Sequence, residues 1–490
     1  MNVLQPPASA TPSWPGLHVV VAGLGVSGFT AADTLLQLGA VVAVLADRDD
    51  PEARERATIL EVLGADVRLG AGAMSSLPPS AGLVIASPGV APRTHLLDQA
   101  VRTGVPVWGE VELAWRLRPI RADGTPAPWL AVTGTNGKTT TVQMLAAILR
   151  AAGLRSAAVG NVGTPVLEAV RHPEPYDVLA VELSSFQLHT TSSLSAQASV
   201  VLNVAPDHLD WHGSFESYRA AKARIYERTQ VACVYPLADP GVEQLVREAD
   251  VVDGCRAIGV TAGVPPVGSI GVVDDVLADR AFVARADRQA APLGSVHDIT
   301  PLAPHTLLDA LAATALARAH GVPATAVGAG LRTFRPDAHR IAEVGVLDGV
   351  RFVDDSKATN THAAQASLSG YDPVVWVAGG LAKGARFDDL VASNRDRLRA
   401  AVLMGRDRGV ITDALRRHAP DVPVIEVGGG ETGGQVMDRV VAAAASVAHP
   451  GDTVLLAPAC ASQDQFRDYG ARGDAFAAAV RARGGGAPPE

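Results

Sequence analysis

The sequence predicts an α/β protein with three parallel-sheet regions, and three observations carry that prediction. A buried-strand pattern over residues 17–22 runs into Gly23-Leu24-Gly25-Val26-Ser27-Gly28. An apolar run from Trp129 to Val132 leads into Gly134-Thr135-Asn136-Gly137-Lys138-Thr139-Thr140, and a helical pattern follows. Beyond residue 337, four apolar runs alternate with helical stretches, and each run ends in polar residues. Strand, turn and helix in that alternation make open parallel sheets whose ligands collect at the strands' carboxyl ends. The boundaries expected are 1–125, 126–336 and 337–490.

The first region opens as a βαβ unit. Its helix is expected over Ala31 to Leu38, and its second strand, Val41 to Leu45, leads to Asp47 about 20 positions after the glycines. Alone, this pattern favours a nicotinamide or flavin cofactor, although any phosphate-bearing nucleotide fits the turn and Asp47 could meet a ribose or a base. A further strand, Gly82 to Ala86, ends in the turn Ser87-Pro88-Gly89, and Arg118 to Pro128 reads as a linker. In the middle region the loop Gly134 to Thr140 is an anion cradle: backbone N–H groups and a helix N-terminus converge on phosphate. Lys138 would reach the outer phosphates and Thr139 would hold Mg²⁺. The strand Val178 to Val181 ends at Glu182, where a carboxylate would complete that Mg²⁺ shell. A strand over Val200 to Val204 delivers His208 between two acids, either as a ligand or as a cap, and Tyr218 to Tyr226 is helical. Residues 230–300 carry little pattern, and a helix is expected from Leu307 to His320. In the last region the four strands Val350–Val353, Val374–Ala378, Ala401–Met404 and Thr453–Leu456 imply a parallel sheet, and the tail from Gly484 reads as disordered.

Composition narrows the functional classes. No apolar run reaches the roughly 18 residues of a spanning helix. Met1 to Pro15 lacks the basic start and apolar centre of a signal peptide. Three scattered cysteines suit a reducing compartment. A cytoplasmic protein without membrane insertion is therefore expected. The net charge of −9 argues against broad nucleic-acid binding. Of 42 basic residues only Lys138, Lys222, Lys357 and Lys383 are lysine. Where arginine is the default cation, a lysine marks a position needing a compact charge or a reactive amine.

Taken together, Thr133–Thr140, Glu182–Leu188, Asn203–Asp210, Tyr218–Tyr226, Asp354–Asn360 and Pro458–Phe466 resemble the Mur ligases, which build the peptide stem of bacterial cell-wall precursors. The likeness covers roughly Leu17 to Ala477. Glu-Leu-Ser-Ser-Phe-Gln, Asp-Ser-Lys-Ala-Thr-Asn and Pro-Ala-Cys-Ala-Ser are similar to the branch that adds D-glutamate to UDP-N-acetylmuramoyl-L-alanine. The Asp-Asn-Pro-Arg string of diaminopimelate-adding relatives is absent. The resemblance implies a Rossmann-like UDP-binding domain, a central P-loop ATPase-like domain and a Rossmann-like amino-acid-binding domain. It implies ATP and two Mg²⁺ ions, an acyl-phosphate intermediate, and a monomer. It also assigns residues. Gly134, Thr135, Asn136, Gly137, Lys138, Thr139, Thr140, Arg340 and Asp355 would bind ATP. Thr139 and Glu182 would hold one metal, His208 and a carbamylated Lys222 the other. Val26, Ser27, Asp47 and Gly89 would hold the UDP part, and Asn161 and Ser184 would lie along the acyl-acceptor path. Lys357, Thr359, Lys383, Ser462 and Tyr469 would surround D-glutamate.

Three departures from the family pattern stand out. Thr306 and Asp309 replace asparagines, of which the second ordinarily helps bind adenine. Tyr235-Pro236-Leu237-Ala238-Asp239 replaces an Asn-x-Asp-Asp string, and Gln463 stands where an apolar residue is usual. A nicotinamide oxidoreductase would leave the phosphate loop and the lysines without a role. A regulatory GTPase would need an Asn-Lys-x-Asp string, and none of the four lysines lies in one.

Overall fold

The computed structural model describes residues 12–428 and 433–484. Most of the segment read for a signal peptide, and the tail from 485, lie outside the described residues. The chain forms two compact units. One runs to Ile299 and takes in Thr306–Phe334; the other takes Thr300–His305 and the chain from Arg335 onward. No helix among the described residues is long and apolar enough to cross a membrane.

The first unit holds two sheets. Strands β1 (His18–Ala22), β2 (Val41–Ala46), β3 (Asp66–Leu69), β4 (Leu83–Ala86) and β5 (Val107–Gly109) lie in the order β3-β2-β1-β4-β5, all parallel. Their helix begins at Val26, five residues before the expected Ala31, because the extended Gly25 already serves as its N-cap. Gly28 then packs directly on the Gly23 carbonyl, where a Cβ would overlap it. The close turn that the glycine pattern implied is therefore present.

The second sheet comprises β6 (Trp129–Thr133), β7 (Ser156–Gly160), β8 (Val178–Glu182), β9 (Ala198–Val201), β10 (Ala232–Pro236), β11 (Arg256–Val260), β12 (Ser269–Val273), β13 (Val276–Asp279) and β14 (Ala291–Ser295). Their order is β14-β13-β12-β11-β10-β9-β6-β8-β7. The strands are parallel from β7 to β12, and β13 and β14 add an antiparallel edge. The weakly patterned stretch 230–300 thus contributes the five strands β10 to β14, with a helix Pro240–Glu248 capped by the Asp239 side chain. The expected strand Val200–Val204 is corrected: β9 ends at Val201, and Asn203 leaves the ladder to bond the phosphate loop with its side chain. The helix expected from Leu307 starts at Pro304, a residue suited to a first turn because it brings no N–H to leave unpaired.

The buried helix Glu110–Arg116 ties the two sheets together. Glu110 accepts a hydrogen bond from Leu167 N at 2.7 Å. Glu112 accepts from Ser192 N, Ser193 N and Ser193 Oγ and pairs with Arg116 at 2.6 Å. The supposed linker begins with Arg118, whose guanidinium lies 3.1 Å from the centre of the Trp115 ring. It then folds back through an Ile120–Pro126 bridge.

The second unit holds β15 (Ala342–Leu347), β16 (Val350–Asp354), β17 (Val374–Gly379), β18 (Leu398–Met404), β19 (Val424–Glu426) and β20 (Thr453–Leu456), in the order β15-β16-β20-β17-β18-β19. Six strands replace the four expected. β15 is antiparallel to β16. It escaped notice because its half-buried face gives no apolar run, and β19 is only three residues long.

Glu110 yields a prediction. Burial pushes its carboxyl from an ordinary 4.5 to about 7. The fold therefore holds a proton that the unfolded chain releases, and the penalty grows between pH 4.5 and 7 and is constant above. Glu110→Gln keeps an acceptor for Leu167 N. It should match the parent in thermal melts near pH 4.5 and exceed it above pH 7, by on the order of 3 kcal/mol. A difference that does not change with pH would refute this account.

Candidate active site

The phosphate loop leaves β6 and enters the helix Lys138–Ala151, with Gly137 as N-cap at φ +82°. A Cβ on Gly137 would run into the Asp309 carboxylate, which also accepts from Thr141 Oγ1 at 3.1 Å. The loop is clamped from the neighbouring strand's exit. Asn203 Oδ1 accepts from Thr135 N at 3.1 Å and Asn136 N at 2.9 Å. Thr135 Oγ1 lies 2.9 Å from the Tyr218 hydroxyl and accepts from Ala205 N at 3.0 Å. The amides of Thr135 and Asn136 therefore serve the protein. The first-turn amides of the helix, which have no intrahelical acceptors, are the part of the loop suited to an anion. Thr140 is buried in that first turn.

Two ammonium groups meet on one carbonyl. Lys138 Nζ donates to Gly134 O at 3.0 Å and to Thr135 O at 2.9 Å. Lys222 Nζ donates to the same Gly134 O at 2.7 Å. Lys222 is 2% exposed and lies 4.6 Å from the centre of the Tyr218 ring. Burial, and next the charge of Lys138, hold its pKa well below the ordinary lysine range. Both effects favour the neutral amine over the ammonium.

Beside it, Glu182 ends β8 with both carboxylate oxygens engaged. Thr139 Oγ1 donates to Oε2 at 2.8 Å, and Asn161 Nδ2 donates to Oε1 at 2.9 Å. The sequence reading put Asn161 on the acyl-acceptor path; here its amide orients Glu182. A hydroxyl and a carboxylate side by side form an oxygen-only donor pair that suits Mg²⁺ better than a softer metal. Among the described residues no three His, Cys, Asp or Glu side chains could hold a metal by themselves. An ion at Thr139 and Glu182 would thus need water and substrate oxygens, the usual habit of Mg²⁺. His208 adopts φ +52°. Its ring sits 4.8 Å from Phe186 and 3.6 Å from the Asp207 carboxylate. Burial lowers its pKa, with Asp207 and Asp210 opposing. Ser184 caps the helix Ser185–His189 in a capping box with Gln187.

In the first sheet, Val26 and Ser27 start the helix after β1, with Val26 56% exposed. Asp47 follows β2, where Oδ1 accepts from Met74 N at 3.2 Å. Gly89 lies in the turn after β4, which is pinned by Ser87 Oγ donating to Gly23 O at 2.9 Å. These four residues gather at the carboxyl ends of β1, β2 and β4. Next to them is a cavity of about 300 Å³ lined by Ser87, Pro88, Phe186, His189 and Trp211 among others.

The second unit carries the remaining residues. Asp355 is buried and accepts from the Ser367 hydroxyl, and burial pushes its carboxyl up to about 6. The Arg340 charge opposes that rise. Lys357 Nζ lies 3.9 Å from the centre of the Tyr469 ring, and Thr359 N donates to Lys357 O at 2.8 Å. Lys383, exposed at φ +49°, follows β17. Ser462 is 1% exposed, and its hydroxyl is among the buried polar atoms without a hydrogen-bond partner. Such an orphan calls for an explanation, and a ligand is one. Gln463 beside it is exposed.

Sequence reasoning gave no role to Asn203, Tyr218, His339 or Arg472. Tyr218 was detectable, since it stands four residues before Lys222 on one helix face. His339 Nδ1 pairs with Asp354 at 2.6 Å, and that contact raises its pKa.

Sequence models of three domains match the chain. They are a MurD-like Mur ligase N-terminal domain at residues 17–109, the Mur ligase middle domain at 132–260, and the Mur ligase glutamate ligase domain at 339–460. A UDP-N-acetylmuramoylalanine--D-glutamate ligase of Streptomyces avermitilis is 60% identical over 472 residues, covering 96% of this chain and 99% of that one. Its counterpart in Mycolicibacterium smegmatis is 47% identical over 499 residues, covering 96% and 98%. Among solved structures, the UDP-N-acetylmuramate-alanine ligase MurC of Thermotoga maritima aligns with a TM-score of 0.57 at 17% identity, over 95% of this chain and 99% of that one. MurF of Acinetobacter baumannii aligns with a TM-score of 0.55 at 16% identity, over 85% and 87%. These two likenesses speak for the three-domain Mur ligase fold alone. With its three domain matches and its whole-length relatives, the chain belongs to the Mur ligase family.

Proposed function

We propose that this enzyme joins D-glutamate to UDP-N-acetylmuramoyl-L-alanine at the expense of ATP, in the synthesis of peptidoglycan precursors. The single observation that carries the reading is the group around Gly134: two lysines on one carbonyl, beside a Thr139–Glu182 oxygen pair. The substrate assignment is supported by whole-length relatives that bear that ligase's name. Region 1–125 binds the UDP part through Val26, Ser27, Asp47 and Gly89. Region 126–336 binds ATP, and region 337–490 binds D-glutamate and supplies Arg340 and Asp355 toward ATP. The enzyme works as a monomer in the cytoplasm, where its nucleotide substrates are.

The chemistry must bring anions together. The substrate carboxylate takes the γ-phosphoryl group of ATP, giving an acyl phosphate and ADP. The D-glutamate amine, having lost a proton, attacks the acyl carbon, forms the amide and expels phosphate. Lys138 donates to two loop carbonyls, and phosphate oxygens would replace those neutral acceptors as charge develops. Mg²⁺, when bound, supplies charge neutralisation on the phosphates; Thr139 and Glu182 would hold one ion, His208 and a carbamylated Lys222 the other. The Lys222 amine adds to CO₂ with loss of a proton, which turns a buried donor into an oxygen-donor anion. Lys357 and Lys383 meet the two carboxylates of D-glutamate. Thr359, Ser462 and Tyr469 complete that region, and the buried Ser462 hydroxyl there still lacks a partner.

Two experiments test this. Phosphate release should require UDP-N-acetylmuramoyl-L-alanine, D-glutamate, ATP and Mg²⁺ together; equal turnover with L-glutamate or diaminopimelate would reject the acceptor. Lys222→Arg should be inactive, because a guanidinium cannot form the carbamate. Lys222→Ala should recover activity when a short carboxylic acid is added. Full activity of the arginine variant would end the carbamate proposal.

A further inference from the structure

Arg472 sits on the helix Tyr469–Ala482 and is 1% exposed, the largest fully buried charged side chain described. Its nitrogens donate to Ser356 Oγ at 2.9 Å, Ser356 O at 2.8 Å and Cys460 O at 3.1 Å. Ser356 Oγ in turn donates to Tyr469 O at 2.7 Å. None of these acceptors is a carboxylate. The nearby Asp354 is committed to His339 at 2.6 Å and to Ser356 N at 2.9 Å, and Asp464 accepts from Arg406 N at 2.8 Å. Burial pulls the Arg472 pKa down only to about 10, so the guanidinium stays charged at neutral pH. A buried cation that meets only neutral dipoles is expensive to keep, and an apolar side chain of similar size would fill the space without that penalty.

Its three acceptors lie on two loops, and each loop leads directly into residues proposed above for D-glutamate. Lys357 and Thr359 follow Ser356; Ser462 follows Cys460; Tyr469 begins the helix that carries Arg472 itself. We infer that Arg472 is a positioning residue for the amino-acid acceptor: its guanidinium fork sets the spacing of Lys357, Ser462 and Tyr469, and its charge, which touches only neutral acceptors and feels Asp464 and Asp354 from farther off, favours a dicarboxylate beside them. Planarity matters here, because two nitrogens of a rigid fork grip the hydroxyl and carbonyl of one serine, whereas an ammonium would have to reach both from a single nitrogen. The inference rests on the D-glutamate reading of that region.

Steady-state kinetics of the full chain test it. Arg472→Met should raise KM for D-glutamate about tenfold or more, the scale of a lost charge-assisted contact in a buried site. KM for ATP and for the UDP-substrate should stay within about twofold, inside the error of that scale. Guanidinium added to Arg472→Ala should restore the D-glutamate KM, and Arg472→Lys should recover only part of it. An unchanged D-glutamate KM, or an equal rise in all three KM values that guanidinium does not relieve, overturns the inference. Should the Arg472 variants fail to fold, Ser356→Ala decides, since it removes one acceptor and keeps the cation. It should raise only the D-glutamate KM, by about threefold; no rise overturns the inference. A parent enzyme that releases no phosphate in response to D-glutamate would instead reject the acceptor reading, before any variant is measured.

Discussion

The phosphate loop can serve chemistry only if its shape survives the crowding of like charges, and that constraint organises the first unit. Lys138 and Lys222 share the Gly134 carbonyl, with a buried Glu182 close by. Two ammonium groups so near each other repel strongly in a medium of low polarity. The fold answers in two ways. It buries Lys222, which favours the neutral amine, and it braces the loop from outside through Asn203 and Tyr218. The bracing explains why β9 stops at Val201. A strand continuing to Val204 would carry Asn203 along the ladder instead of letting its amide turn onto the loop.

The same economy governs Glu182. Its two oxygens are satisfied by neutral donors, Thr139 and Asn161, so the carboxyl group is held in place without a salt bridge that a ligand would have to break. A neutral hydroxyl is easily displaced or shared, whereas a guanidinium partner would compete with an incoming cation. Asp309 adds a second carboxylate against the loop, close to Gly137. The asparagine usual in the family would be neutral there. The substitution therefore puts a carboxyl group at the helix start, where it accepts from Thr141 Oγ1.

Much of this was legible in the sequence because strand, glycine turn and helix leave strong periodic marks. β1, β6, β8, β17 and β20 are apolar runs with punctuation at their ends, and buried parallel strands read that way. β14, β15 and β19 are edge strands that are not fully buried and give no apolar run, and β13, set between β12 and β14, is only four residues long. The residues proposed to bind were marked by type: glycine, lysine, threonine and glutamate at fixed spacings. The residues that brace them were not. Asn203 is an ordinary asparagine after a strand, and its role depends on β9 lying beside β6, which local pattern does not encode. Arg472 is one of 38 arginines in a chain that has 42 basic residues and four lysines, so nothing in its own segment marks it as buried.

The division of labour between the two cations follows their chemistry. The carbamate proposed at Lys222 needs an amine that can lose its proton in a buried site, and a guanidinium would stay charged at the same burial. Lys357 places a compact charge on the Tyr469 ring, at 3.9 Å from its centre. Arg472 faces the opposite requirement. It must remain charged while buried and reach three acceptors at fixed angles, which suits a rigid fork with a high intrinsic pKa. Arg118, stacked on Trp115, likewise uses a flat face that lysine lacks. In a chain whose composition favours arginine, the retained lysines stand at the positions proposed to need proton loss or a point charge. The buried arginines identify where geometry has to be held.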